Sequence, residues 1–135
     1  MKTITKMILV VVAFIPFSAS GQVCAKQISV PEYQPILRAA QTTGIVDLAI
    51  TIGARGQVLR VDGNGSSPML VQQAKENAKG WIFCKPKKNE NTHVQLRYDY
   101  RLEGAPVYPW PTAKVVIDLG SVTIVITSPP GEPQP

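Results

Sequence analysis

The chain predicts an α+β fold: a small antiparallel β-sheet in the order helix, strand, strand, helix, strand, with two helices on one face, followed by a C-terminal β-hairpin. Three observations carry that reading. Val94, Leu96, Tyr98, Tyr100 and Leu102 alternate with polar residues, the period of a strand with one buried and one wet face. Val46, Leu48, Ile50 and Ile52 alternate in the same way with Asp47, Ala49 and Thr51. Between these two runs Leu70, Ala74, Ala78 and Trp81 recur at helical spacing.

In order along the chain, Met7 opens an apolar run that continues to Phe17 behind Lys2 and Lys6, with the small residues Ser18, Ala19, Ser20 and Gly21 after it. The run is shorter than the roughly 20 residues a spanning helix needs, so residues 1–21 read as a secretory signal peptide. An uncleaved signal anchor is the alternative, and the only route by which the chain would touch a membrane. Cleavage after Gly21 retains Cys24 for pairing with Cys84, whereas cleavage after Ala25 leaves Cys84 alone; both stay open at this point. Residues 22–30 read as a short linker.

Pro35 sits in the first turn of a helix that shares Ile36, Leu37 and Ala40 on one face, and Gly44 takes the helix-ending position. Gly53-Ala54-Arg55-Gly56 is the turn between the strand of residues 45–52 and its return arm at residues 57–61; Asp62-Gly63-Asn64-Gly65 reads as a second turn. Ser67 is a candidate N-cap with Pro68 at the first helical position. Gly80 stops that helix, and Trp81 with Phe83 anchors the core. The alternating strand follows at residues 93–103. Residues 105–127 form a loop with Pro106, Pro109 and Pro111, then a hairpin of residues 115–118 and 122–126; residues 128–135 read as a Pro-rich, disordered tail.

Composition narrows the function classes. The 135-residue chain carries +5, and setting Lys2 and Lys6 aside leaves 12 basic against 9 acidic residues, a net +3. That is too mild a balance for a nucleic-acid partner, and the one tight basic group, Lys85, Lys87 and Lys88, reads as a solvated turn. One histidine and two cysteines about 60 residues apart make no ligand cluster, so neither a metal nor a cofactor is expected. His93 starts a strand without a nucleophile or an acid at triad spacing, and the acidic residues are scattered singly, so an enzyme is not expected.

Tyr33 with Arg38, then Gly44-Ile45-Val46, Gly56-Gln57-Val58 with Val61, Ser66-Ser67, Leu70, Ala74, Trp81-Ile82-Phe83 and the strand around Tyr98 together resemble the C-terminal domain of the TonB family. The spacing fits without a gap over residues 33–83, and the resemblance spans residues 31–104. Gln34 stands where the family has proline, and Val71 where it often has an acidic residue. The resemblance implies a periplasmic module that reaches outer-membrane transporters. About ten residues between signal and domain extend to at most about 35 Å, so energy transduction by this chain alone is not expected.

The resemblance further implies recognition of a protein or peptide, an outer-membrane TonB-dependent transporter among the candidates, by strand addition to an open sheet edge. The candidate edge is residues 93–101. Tyr33, Gln95, Arg97, Tyr98, Asp99 and Arg101 are the candidate partner-binding residues. The rival expectation is that the edge is already occupied, by residues 122–127 or by a second copy in a homodimer, in which case the chain is a structural envelope domain without a transport role. A third reading has Tyr108 and Trp110 in the Pro loop binding envelope material.

Overall fold

The computed structural model describes residues 23–107 and 111–131. The elements are β1 (Ala25–Gln27), α1 (Pro35–Ala39), β2 (Gly44–Ile52), β3 (Val58–Gly65), α2 (Pro68–Ala78), β4 (Ile82–Phe83), β5 (Thr92–Leu102), β6 (Lys114–Asp118) and β7 (Thr123–Ser128). The α+β class is as expected, with two helices against a sheet. The sheet has five strands in the order β3-β2-β5-β7-β6 and is mixed, because β7 lies parallel to β5 while the other pairs are antiparallel. β1 and β4 form a separate two-stranded ladder.

Alternation sorts the sheet into faces. Val46, Leu48, Ile50, Leu96, Tyr98, Tyr100, Ile124 and Ile126 point inward and are almost completely buried with Leu70, Ala74 and Ala78 of α2 and with Tyr33 and Leu37 at α1. Burying one such aliphatic side chain contributes about 1.5–3 kcal/mol. The two helices thus close the same core that the strands present.

Helix α2 starts as its sequence says: the Ser67 hydroxyl accepts from the Leu70 amide at 3.3 Å, with Pro68 directly after it. Helix α1 ends differently from expectation. Gln41, not Gly44, takes the left-handed conformation (φ 53°), with Gln41 N–H donating to Arg38 O and Thr42 N–H to Leu37 O. Those two bonds satisfy carbonyls of the last helical turn, and Gln41 occupies the position directly after the C-cap that glycine usually takes. Gly44 instead opens β2.

Three further expectations are corrected. Asp62, Gly63, Asn64 and Gly65 belong to β3 and not to a turn. A Cβ on Gly63 would lie 2.8 Å from Val71 Cγ1 and 3.0 Å from a Leu48 methyl, so the glycine serves the close approach of α2 to the sheet. Residues 23–30, expected as a linker, are not free: Ala25 and Gln27 pair with Phe83 and Ile82, and Cys24 is disulfide-bonded to Cys84. Nor does the fold stop at residue 127. Ser128 is buried at the end of β7, and Gly131 N–H donates to Arg38 O at 3.4 Å. The signal-sequence reading of residues 1–21, the Tyr108 and Trp110 reading and the last four residues of the tail lie outside the described residues. Among the described residues no helix is long and apolar enough to cross a membrane.

Candidate partner-binding edge

The expected docking edge is largely occupied by the chain itself. Along β5, Arg97 to Leu102 pair residue by residue with Thr123 to Ser128 of β7. This overturns an open edge over residues 97–101, and it is the rival expectation, self-occupation by residues 122–127, that the geometry realises. A bare 11-residue central strand is an association hazard, and β7 removes most of it.

β7 does not cover the whole strand. Its head is Thr123 opposite Arg97, and the last bond before it runs from Arg97 N–H to Val122 O at 3.0 Å. Val122 has φ 59°, a left-handed conformation rare for a β-branched residue, and the chain there bends away from β5 into the turn of residues 119–121. Asp118 holds that turn by accepting from the Gly120 and Ser121 amides at 2.9 and 3.2 Å, which lowers its own pKa. Among the described residues, 92–96 therefore pair with β2 on one side and with no strand on the other.

Backbone direction identifies which groups are exposed there. Arg97 and Glu103 both donate their amides toward the β7 side, so the odd-numbered residues of β5 face it, and His93 and Gln95 fall in that phase. Among the described residues no partner takes up their amides. The open half of β5 thus offers two N–H and two C=O groups in strand geometry.

The candidate side chains divide into three groups. Tyr33 and Tyr98 are core residues, 1% and 0% exposed, and cannot meet a partner; Tyr33 donates its hydroxyl to Thr42 O, and Tyr98 donates to Asn77 Oδ1 at 2.7 Å. Tyr33 builds the core beside Tyr100, with which it makes an edge-on contact at 5.5 Å. Arg97, Asp99 and Arg101 do face outward but are already engaged. Arg97 forks onto Asp47 at 2.8 and 3.2 Å, directly across the β2–β5 ladder, and Arg101 donates twice to Asp99 Oδ2, at 3.0 and 2.7 Å. The carboxylate partners raise the pKa of both guanidinium groups. Solvent screens such exposed pairs, so they add little to stability. Gln95 alone combines an outward side chain with an open backbone position.

A groove of about 510 Å³ lies beside the open half. Ile52, Phe83, Val94 and Val23 give it an apolar lining, together with the Cys24–Cys84 disulfide. Lys85, Lys87 and Lys88 border it, with Glu90 as the acidic counterweight. The lysine group read from sequence as a plain solvated turn is exposed, yet it also walls this groove. Spacing could not disclose that, since the groove brings residues 23 and 24 against residues 52 and 83–94, far apart in sequence.

His93 Nδ1 is 3.4 Å from Thr51 Oγ1, both exposed. Among the described residues no second side-chain hydrogen bond reaches that imidazole. No three metal-ligating side chains gather among the described residues.

Sequence reasoning missed Asn77. Its Oδ1 accepts from Tyr98 Oη at 2.7 Å and from Trp81 Nε1 at 3.2 Å, while its Nδ2 donates to Ser29 O and Ser29 Oγ at 3.0 and 3.3 Å. Because indole N–H is a donor only, the amide orientation is set. An asparagine four residues before a tryptophan in the last turn of a helix was the available signal. No protein-family model matches the chain, and neither a curated protein nor a solved structure gives a match.

Proposed function

We propose that the chain is a secreted, periplasmic, noncatalytic TonB-like binding domain that recognises a partner protein or peptide by strand addition, in connection with transport across the outer membrane. The observation that carries the reading is the uncovered half of β5: His93 and Gln95 present backbone donors and acceptors on a side where β7 has ended. A peptide docking there extends the line of β7 and needs no displacement of it. The Cys24–Cys84 bond supports an oxidising compartment and fits cleavage after Gly21, which retains Cys24.

One observation favours the second reading, a structural envelope domain. β7 already fills residues 97–102 of β5, and its inward side chains Ile124 and Ile126 are core residues, so the hairpin is no removable lid. In that case a second copy, pairing its own residues 92–96, is the natural occupant of what is left.

Titrating isotope-labelled mature protein with transporter-derived peptides distinguishes them. Strand addition moves the His93 and Gln95 amides first and leaves the protein monomeric. Concentration-dependent shifts at the same amides without peptide, matched by a dimer in sedimentation, favour the structural reading. Shifts confined to the loop of residues 105–113 sink strand addition and favour the Pro-loop site.

A further inference from the structure

Resting on the strand-addition reading, we infer that the groove beside the open half of β5 selects an acidic extended peptide. The first observation is backbone. Alternating N–H and C=O groups at His93 and Gln95 match another peptide chain in extended form, and no polyphosphate or sugar offers that alternation. The anion drawn to this place is therefore carried on a polypeptide.

The second observation is shape. At about 510 Å³ the groove is within the ~300–1,000 Å³ range of small-ligand sites, large enough to take side chains of an added strand but not a folded element. Val94 lies both on β5 and in the groove wall, so an added strand and the groove are contiguous. Apolar side chains of the peptide cover Val94, Ile52 and Phe83.

The third observation is charge. Lys85, Lys87 and Lys88 oppose the single Glu90, a formal +2 at the border. On β5 itself the open positions His93 and Gln95 carry no acid, and Arg97 is held by Asp47. An acidic strand meets cations it can pair with, and a basic strand meets repulsion. Three exposed pairs of ordinary strength favour the acidic peptide over its neutral counterpart by about tenfold at low salt, and the preference fades as the screening length drops toward 3 Å near 1 M salt.

The experiment uses the intact disulfide-bonded protein and three seven-residue probes of alternating sequence, Val with Glu, Val with Gln and Val with Lys, each followed through the backbone amides. The expected result is binding in the order Glu, Gln, Lys, with shifts at His93, Gln95 and residues 85–88. The triple variant Lys85→Glu, Lys87→Glu and Lys88→Glu reverses the order. The salt dependence of the unaltered protein supplies the same answer should that variant fold poorly. Equal binding of all three probes at His93 and Gln95 overturns the charge inference while strand addition stands. Shifts at residues 85–88 with His93 and Gln95 unmoved keep the acidic preference and sink strand addition. No shift with the Glu probe overturns the inference outright.

Discussion

Tyr98 Oη donates to Asn77 Oδ1 across 2.7 Å, so the central strand is bonded by side chain to the last turn of α2, 21 residues earlier. Tyr100, two residues on and on the same face, has a buried hydroxyl with no partner among the described residues. The two rings stack at 6.3 Å and contribute similar apolar area, yet their hydroxyls have opposite value. Tyr98→Phe leaves Asn77 short of a donor and costs about 1–3 kcal/mol. Tyr100→Phe removes an unsatisfied group and leaves stability unchanged or raised by up to about 1 kcal/mol. Urea unfolding of both variants checks the contrast, and equal losses would refute it.

Burial raises the pKa of Tyr33, Tyr98 and Tyr100. Tyr33 is pushed up from 10.0 to about 12, with Arg38 pulling weakly the other way, and burial likewise raises Tyr98 and Tyr100. A raised folded-state pKa means that the contribution is fully present below pH about 10 and is lost as pH rises through about 12. Stability is expected to be level in this respect at neutral pH and to fall above pH about 10. Tyrosinate absorbance from these three rings should appear together with loss of near-ultraviolet dichroism. Their ionisation within an intact fold at pH about 11 would contradict the burial argument.

Gly56 has φ 88°, and a Cβ there would lie 2.0 Å from Phe83 O, while Phe83 N–H donates to Gly56 O at 2.8 Å. Gly56→Ala is strained in its backbone and collides with β4, two costs that together come to about 2–5 kcal/mol. Thermal unfolding should show a large drop in the midpoint. A change as small as that of a surface substitution would mean that β4 can retreat freely.

The disulfide closes a separation of 60 residues and fastens β1 to β4. Chain entropy alone assigns it about 4 kcal/mol. The double variant Cys24→Ser, Cys84→Ser should lose about that much, measured by denaturant unfolding, and should bring hydrogen exchange at position 84, whose amide in the unaltered chain donates to Cys24 O at 2.9 Å, up to the rate of a free loop. Exchange at β2 should remain slow.

Ile126 is fully buried between β5 and β6. Ile126→Ala is expected to cost about 2–5 kcal/mol, the range for a core aliphatic. A cost under about 1 kcal/mol would recast the hairpin as a cover that can leave the edge.

The legible parts of the fold are those where one pattern has one meaning. Alternation at Val46 to Ile52 and at Val94 to Leu102 marked β2 and β5 within two residues, and Ser67-Pro68 marked the start of α2. Val115 and Ile124 announced the last hairpin. Gly63 and Gly65 misled, because a glycine that makes room for Val71 has the same letter as one that makes a turn. Tyr33 and Tyr98 misled as site residues because a tyrosine that seals the core carries the same hydroxyl as one that greets a partner. Ala25 to Gln27 gave no periodic signal; their strand exists because Phe83 and a disulfide hold them.

By itself the sequence determined which residues alternate, which face of each strand is apolar, where the helices begin, and that two cysteines were present to pair. Those are local properties, set by side-chain period and by the conformations that Pro, Ser and Gly allow. Only the tertiary structure decided who lies beside β5. Strand neighbours are joined through backbone N–H and C=O groups, which are alike in every residue but proline, so the choice of β7 over an outside peptide is written in no motif. It follows from Ile124 and Ile126 finding the core, and from Val122 turning the chain away at Arg97 and leaving His93 and Gln95 uncovered.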